Sequence, residues 1–133
     1  MCSSDLIGTV INPMIVEAQI HGGLAQGIGQ ALHEMCVYED DSGQILSGSF
    51  LDYAIPRADD LVDFEGEFDE SQPCTHNPLG AKGCGESGSI GAPAALVSAA
   101  LDALSPLGVR DLEIPLTPHR IWRAIREIQA SPT

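Results

Sequence analysis

At 133 residues, 44% of them hydrophobic, the chain is long enough to bury a core of its own and to form one domain. Nineteen acidic residues against six basic ones give a formal charge of −13, which disfavours nucleic acid and anionic membranes as partners. Cys2, Cys36, Cys74 and Cys84 form no C-x-x-C pair, and Cys74-x-His76 with Cys84 matches no common zinc spacing. An iron–sulfur cluster needs four organised cysteines, so free thiols in a reducing cytoplasm are the expectation.

Met1–Leu6 lacks the basic and apolar regions of a signal peptide. Because Cys2–Leu6 can be read from the common sequencing-adapter string TGC-TCT-TCC-GAT-CT, residues 1–6 are expected to be an extension foreign to the natural chain. Asn12-Pro13 is a helix start, and the apolar pattern predicts one helix from Ile15 to about Met35. Four interior glycines, Gly22, Gly23, Gly27 and Gly29, each cost that helix up to roughly 1 kcal/mol against alanine. Close packing or a bound ligand must therefore compensate. Glu17, Gln19, His21, Gln26, Gln30, His33 and Glu34 exclude it as a membrane span. His21 and His33 do not share a metal-binding face, and both are expected to be structural or solvated.

Next, Cys36–Glu39 and Gln44–Ser47 flank Asp40–Gly43, which predicts a hairpin with Asp, Ser and Gly in its turn. Residues 50–56 are expected to be extended or irregular. Seven acids fall within Asp59–Glu70, where Val62, Phe64, Gly66 and Phe68 alternate with polar residues as in a half-buried strand with a solvated edge. Pro93–Leu104 is alanine-rich and predicts a helix with proline in its first turn, stopped by Ser105-Pro106. A short strand is expected over Asp111–Pro115, then a helix capped by Thr117 with Pro118 at its first position. That last helix puts Ile121, Trp122, Ile125 and Ile128 on one stripe, and Arg120, Arg123 and Arg126 on a basic face expected to be solvated. The elements predict an α+β layer of helices packed with short, mostly antiparallel strands.

The chemistry concentrates in Asn77–Gly91. Gly83, Gly85 and Gly88 bracket the one carboxylate of this loop, Glu86, so the backbone there can approach a ligand closely. A helix follows, and unpaired N–H groups at its start favour anions. A carboxylate held beside a bound group there is a candidate general base; the competing reading is an exposed loop acid. Gly83–Gly88 also matches G-x-G-x-x-G literally, but the polar, proline-broken segment Ser71–Gly80 cannot be the strand a dinucleotide site needs upstream.

Pro78–Glu86, together with Gly22–Leu32 upstream, resembles the C-terminal end of molybdenum hydroxylase large subunits, the xanthine dehydrogenase, aldehyde oxidoreductase and aerobic carbon monoxide dehydrogenase group. The resemblance runs from about Val10 to about Ile125. It implies that residues 7–133 are the C-terminal part of a molybdopterin-cofactor-binding domain. The glutamate of the family's Lys-Gly-x-Gly-Glu loop is the base beside the molybdenum, and by position that is Glu86. A glutamine in Val-x-x-Gln-x-x-Gly-Gly contacts the pterin, and the matching residue is Gln19; alanine at Ala18 replaces the usual glycine before it. The same loop implies cofactor contacts from Lys82, Gly83, Cys84 and Gly85, with Cys84 where valine or isoleucine is commoner. No residue here is implied as a direct metal ligand. The implied cofactor is the molybdenum–pterin, in its cytosine dinucleotide form. The implied reaction is oxidative hydroxylation of an aldehyde or N-heterocycle, with carbon monoxide oxidation as an alternative. Iron–sulfur clusters and FAD belong to other subunits or domains. A further alternative is a cofactor-pocket or interaction module with no turnover of its own.

Overall fold

The computed structural model describes residues 2–130. Its order is β1 (Cys2–Asp5), α1 (Pro13–Leu32), β2 (Glu65–Phe68), α2 (Ser87–Leu104) and α3 (Pro118–Ala130), with short 3-10 turns at Ala58–Asp60 and Ser105–Leu107. Both predicted caps are present. The Asn12 side-chain oxygen accepts from the Ile15 N–H at 3.3 Å, and the Thr117 hydroxyl accepts from the Arg120 N–H at 3.3 Å. Each satisfies a backbone donor that the first helical turn leaves unpaired.

The chain divides into two units. The first comprises the residues up to Gly27 together with Arg57–Gly91. Its buried apolar side chains are Ile7, Ile20 and Leu24. β1 and β2 pair in parallel, with Cys2 opposite Glu65 and Asp5 opposite Phe68. The expectation of mostly antiparallel strands is corrected here: among the described residues, antiparallel pairing is confined to two isolated bridges, Gly8 with Ala81 and Tyr38 with Ile45. The acidic strand is present but short. Phe64 and Phe68 are half-buried, Val62 is exposed, and the His21 ring meets Phe64 edge-on at 5.5 Å.

The second unit comprises Ile28–Pro56 and the residues from Ala92 onward. Ile28, Ala31, Ala92, Val109 and Leu116 are its buried apolar residues. The predicted hairpin is there: the Glu39 N–H donates to the Gln44 carbonyl at 2.9 Å and the Leu46 N–H to Val37 at 2.7 Å. Buried Ser47 closes it by accepting the Val37 N–H at 2.9 Å. The strand expected over Asp111–Pro115 is irregular, with a cis peptide between Ile114 and Pro115. Its carbonyls are occupied otherwise. Arg120, expected on a solvated face, is half-buried and donates from Nη1 to the carbonyls of Ile114 at 2.6 Å and Glu113 at 3.5 Å. On α3, Ile121 and Ile125 are half-buried, while Trp122 is exposed between His119 and Arg126 at 6.1 and 6.0 Å.

α2 begins six residues earlier than its composition suggests, so Pro93 lies inside the helix. Proline lacks the N–H that would pair with the Ser89 carbonyl, yet its fixed φ is helical, and the helix continues through it. Ser87–Leu107 is long and apolar enough to cross a membrane by length and composition alone. Its first turn, however, packs backbone-to-backbone on α1 within the first unit, as in a folded domain.

Candidate functional site

The early start of α2 changes what Glu86 is. It stands immediately before the first helical residue, and its carbonyl accepts from the N–H of Ser89 at 3.0 Å and of Ile90 at 3.2 Å. The Ser89 hydroxyl adds a third bond to the same oxygen at 3.0 Å. Glu86 is therefore fixed by its backbone as the cap of α2. Its carboxylate is exposed and has no hydrogen-bond or ion-pair partner among the described residues. Both oxygens remain available to a ligand.

The approach to Glu86 is anchored from behind. The Ile7 carbonyl accepts from the Lys82 N–H at 3.0 Å, and the Gly80 carbonyl accepts from both Thr9 at 3.0 Å and Cys74 at 2.8 Å. Asn77 donates its side-chain amide to the Ala81 carbonyl at 3.0 Å. Gly8 and Gly80 sit at φ +67° and +71°, and a Cβ on Gly8 would run into the Gly80 carbonyl oxygen. Only glycine permits this crossing.

The expected site residues fall on two surfaces, with Lys82 on both. Gln19 and Gly85 come together: the Gln19 Oε1 atom lies 3.4 Å from where a Gly85 Cβ would stand. Both are exposed, as are Lys82 and Gly83, and a Cβ on Gly83 would meet nothing within 4 Å. Lys82 and Cys84, in contrast, line an apolar cavity of about 200 Å³ with Ile7, Ile11, Ile15 and Val16. Asp69 is held below its ordinary carboxyl value first by the Ser71 hydroxyl and N–H, and to a smaller degree by the Lys82 charge.

Sequence reasoning missed the contact that unites these pieces. Gly23 of α1 and Gly88 of α2 meet backbone against backbone, and a Cβ on Gly23 would lie 3.0 Å from the Gly88 Cα. The available signal was spacing, since Gly23 lies four residues after Gln19 and shares its helix face. His21 is half-buried, lying 4.0 Å from Glu17 and against Phe64. Cys36, Cys74 and Cys84 are free thiols, and no group of metal-binding side chains occurs among the described residues.

A partnerless, exposed glutamine amide can donate and accept at once along the edge of a planar heterocycle. Bare glycine backbone beside it admits such a ring closely, and an unpartnered carboxylate follows at a helix start. The surface at Gln19 and Gly85 thus offers a planar polar ligand an amide donor, an amide acceptor and, next to them, a carboxylate acceptor.

Residues 2–62 match a family model described as a molybdopterin cofactor-binding domain. The large subunit of nicotine 6-hydroxylase from Paenarthrobacter nicotinovorans is 47% identical over 91% of the chain. The carbon monoxide dehydrogenase large chain of Hydrogenophaga pseudoflava is 37% identical over 92% of it. Among solved structures, quinoline 2-oxidoreductase from Pseudomonas putida 86 superposes with a TM-score of 0.88, at 48% identity over 95% of the chain. The chain spans about 15% of the length of these curated relatives and 16% of that solved chain.

Proposed function

Because the chain belongs to the molybdenum hydroxylase large-subunit family, we propose that it forms one wall of a molybdenum–pterin site, with Glu86 as general base and Gln19 as a pterin contact. The observation that carries this is the meeting of Gln19 with Gly85, directly before a Glu86 whose backbone is pinned and whose carboxylate is free.

The cofactor, when bound, supplies a two-electron acceptor and a Lewis acid. Everything else falls to this chain. The Gln19 amide orients the pterin edge, and the glycines at 83 and 85 let it lie close to the backbone. A Glu86 Oε atom takes the proton of the attacking oxygen as that oxygen bonds to the substrate carbon, the ordinary work of a general base. The overall change is R–H + H₂O → R–OH + 2 H⁺ + 2 e⁻, and the electrons leave through iron–sulfur and FAD partners outside this chain.

The substrate class we propose is an aldehyde or an N-heterocycle; the relatives named for nicotine and quinoline turnover favour the heterocycle. A second reading, CO + H₂O → CO₂ + 2 H⁺ + 2 e⁻, is supported by the carbon monoxide dehydrogenase relative and uses Glu86 in the same way. We also take the cytosine dinucleotide form of the cofactor, and no turnover by these 133 residues alone, as part of this reading. Gln19→Ala in the full-length enzyme tests it. Molybdenum per protein should fall while the fold survives, and unchanged molybdenum content would remove Gln19 from the site.

A further inference from the structure

We propose that Gly23 and Gly88 are positioning residues, whose backbone contact sets the separation of Gln19 on α1 from Gly85 and Glu86 at the start of α2. This rests on the site reading given above for Gln19 and Glu86. Gly23 lies one turn beyond Gln19 on the same face of α1, and Gly88 lies two residues beyond Glu86 in the first turn of α2. A Cβ on Gly88 would stand 2.7 Å from the Leu24 nitrogen and 3.0 Å from the Gly23 carbonyl carbon, and closer still to the Ile20 carbonyl oxygen. A Cβ on Gly23 would stand 3.1 Å from the nitrogens of both Gly88 and Ser89. These neighbours are helix backbone, which cannot swing aside as a side chain can, so an added methyl must separate the helices.

The neighbouring glycine supplies the control. Gly22 is exposed, and a Cβ there meets nothing within 4 Å. If α1 merely needed flexibility, Gly22 and Gly23 would be equivalent. Their surroundings make them opposite: alanine at 22 favours the helix, whereas alanine at 23 or 88 displaces one half of the site from the other. A misplacement on the order of 1 Å is enough to cost about 10²-fold in rate.

Gly22→Ala, Gly23→Ala and Gly88→Ala, each with and without Gln19→Ala, test this in the full-length enzyme assembled with its partners. Molybdenum per protein, thermal midpoint and turnover per bound molybdenum are read together. Gly22→Ala should match the parent in molybdenum and unfold no earlier. Gly88→Ala should lose molybdenum and drop turnover per bound molybdenum by about 10²-fold, with Gly23→Ala intermediate. In the Gln19→Ala background the further molybdenum loss from either glycine should shrink, because the contact it displaces is already gone. Should Gly88→Ala fail to accumulate, Gly23→Ala carries the same comparison. Equal losses in both backgrounds would make the glycines merely structural and overturn the proposal. So would parental molybdenum and turnover in both glycine variants while Gln19→Ala is defective. Parental molybdenum in Gln19→Ala alone would instead defeat the site reading itself, and this proposal with it.

Discussion

The side-chain oxygen of Gln19 lies 3.4 Å from the point at which a side chain on Gly85 would begin. The two residues belong to segments far apart in the chain, the first turns of α1 and the loop that opens α2. Their meeting depends on absent side chains. Glycines at 23, 85 and 88 let one backbone lie against the other and leave the Gln19 amide uncovered.

Side-chain size at position 85 should therefore control access to that amide. In Gly85→Ala the new methyl makes an ordinary van der Waals contact with Gln19. Gly85→Val places two further methyls over the same oxygen. The full-length Val variant should lose molybdenum while its thermal midpoint stays near the parent's, and the Ala variant should lie between. Full molybdenum occupancy in Gly85→Val would show that the Gln19–Gly85 surface is not where the cofactor rests.

Gly8 and Gly43 share a left-handed backbone, at φ +67° and +68°, but not the same surroundings. A Cβ on Gly43 meets nothing within 4 Å, whereas one on Gly8 collides with the Gly80 carbonyl. Gly43→Ala should cost about 1–2 kcal/mol, the strain of an L-residue in that region. Gly8→Ala should cost more, because it also displaces the Ile7–Thr9 segment from Gly80–Lys82. Denaturant unfolding of the two variants compares them directly. Equal losses would mean that the crossing does not hold the loop.

Local signals in the sequence proved legible, and long-range ones did not. Asn12 and Thr117 announce their helices because a cap and the proline after it act within one turn. Asp40–Gly43 announces its hairpin for the same reason. The parallel partner of the acidic strand lies some sixty residues away, and no pattern in either segment specifies it. Pro93 hid the start of α2: proline favours a first turn, yet here the turns before it are built from glycine and serine. The strand expected over Asp111–Pro115 failed because Arg120, read as solvated, reaches back to the carbonyls of Glu113 and Ile114. For the proposed site, the motif names candidate residues and their order. It did not give the pairing of Gln19 with Gly85, or the Gly23–Gly88 contact behind it.

Tyr53 supplies a test by pH. Its hydroxyl donates to Glu34 Oε2 at 2.7 Å. That bond, followed by desolvation and the Glu34 charge, raises the phenol from its ordinary value near 10 to about 12. The folded state therefore holds this proton more tightly than the unfolded chain does. The contribution is fully present below pH 10 and is lost as pH rises toward about 12. Unfolding midpoints across that window should fall for the parent and fall less for Tyr53→Phe. Phenolate absorbance should show a late-titrating step that Tyr53→Phe removes. Parallel curves for the two proteins would contradict the bond to Glu34.

Glu86→Gln in the full-length enzyme bears most directly on the central claim. Glutamine keeps the size of the side chain and one acceptor oxygen but cannot take a proton at neutral pH. The loop should survive, because its bonds run from the N–H groups of Ser87, Ser89 and Ile90 to the carbonyls of Cys84 and Glu86, which the change leaves intact. Molybdenum content and thermal midpoint should stay near the parent's. Turnover per bound molybdenum should fall by about 10²–10⁴-fold, the range for removal of a general base. A parental rate per bound molybdenum, with or without a loss of stability, would contradict the assignment of Glu86 as the base.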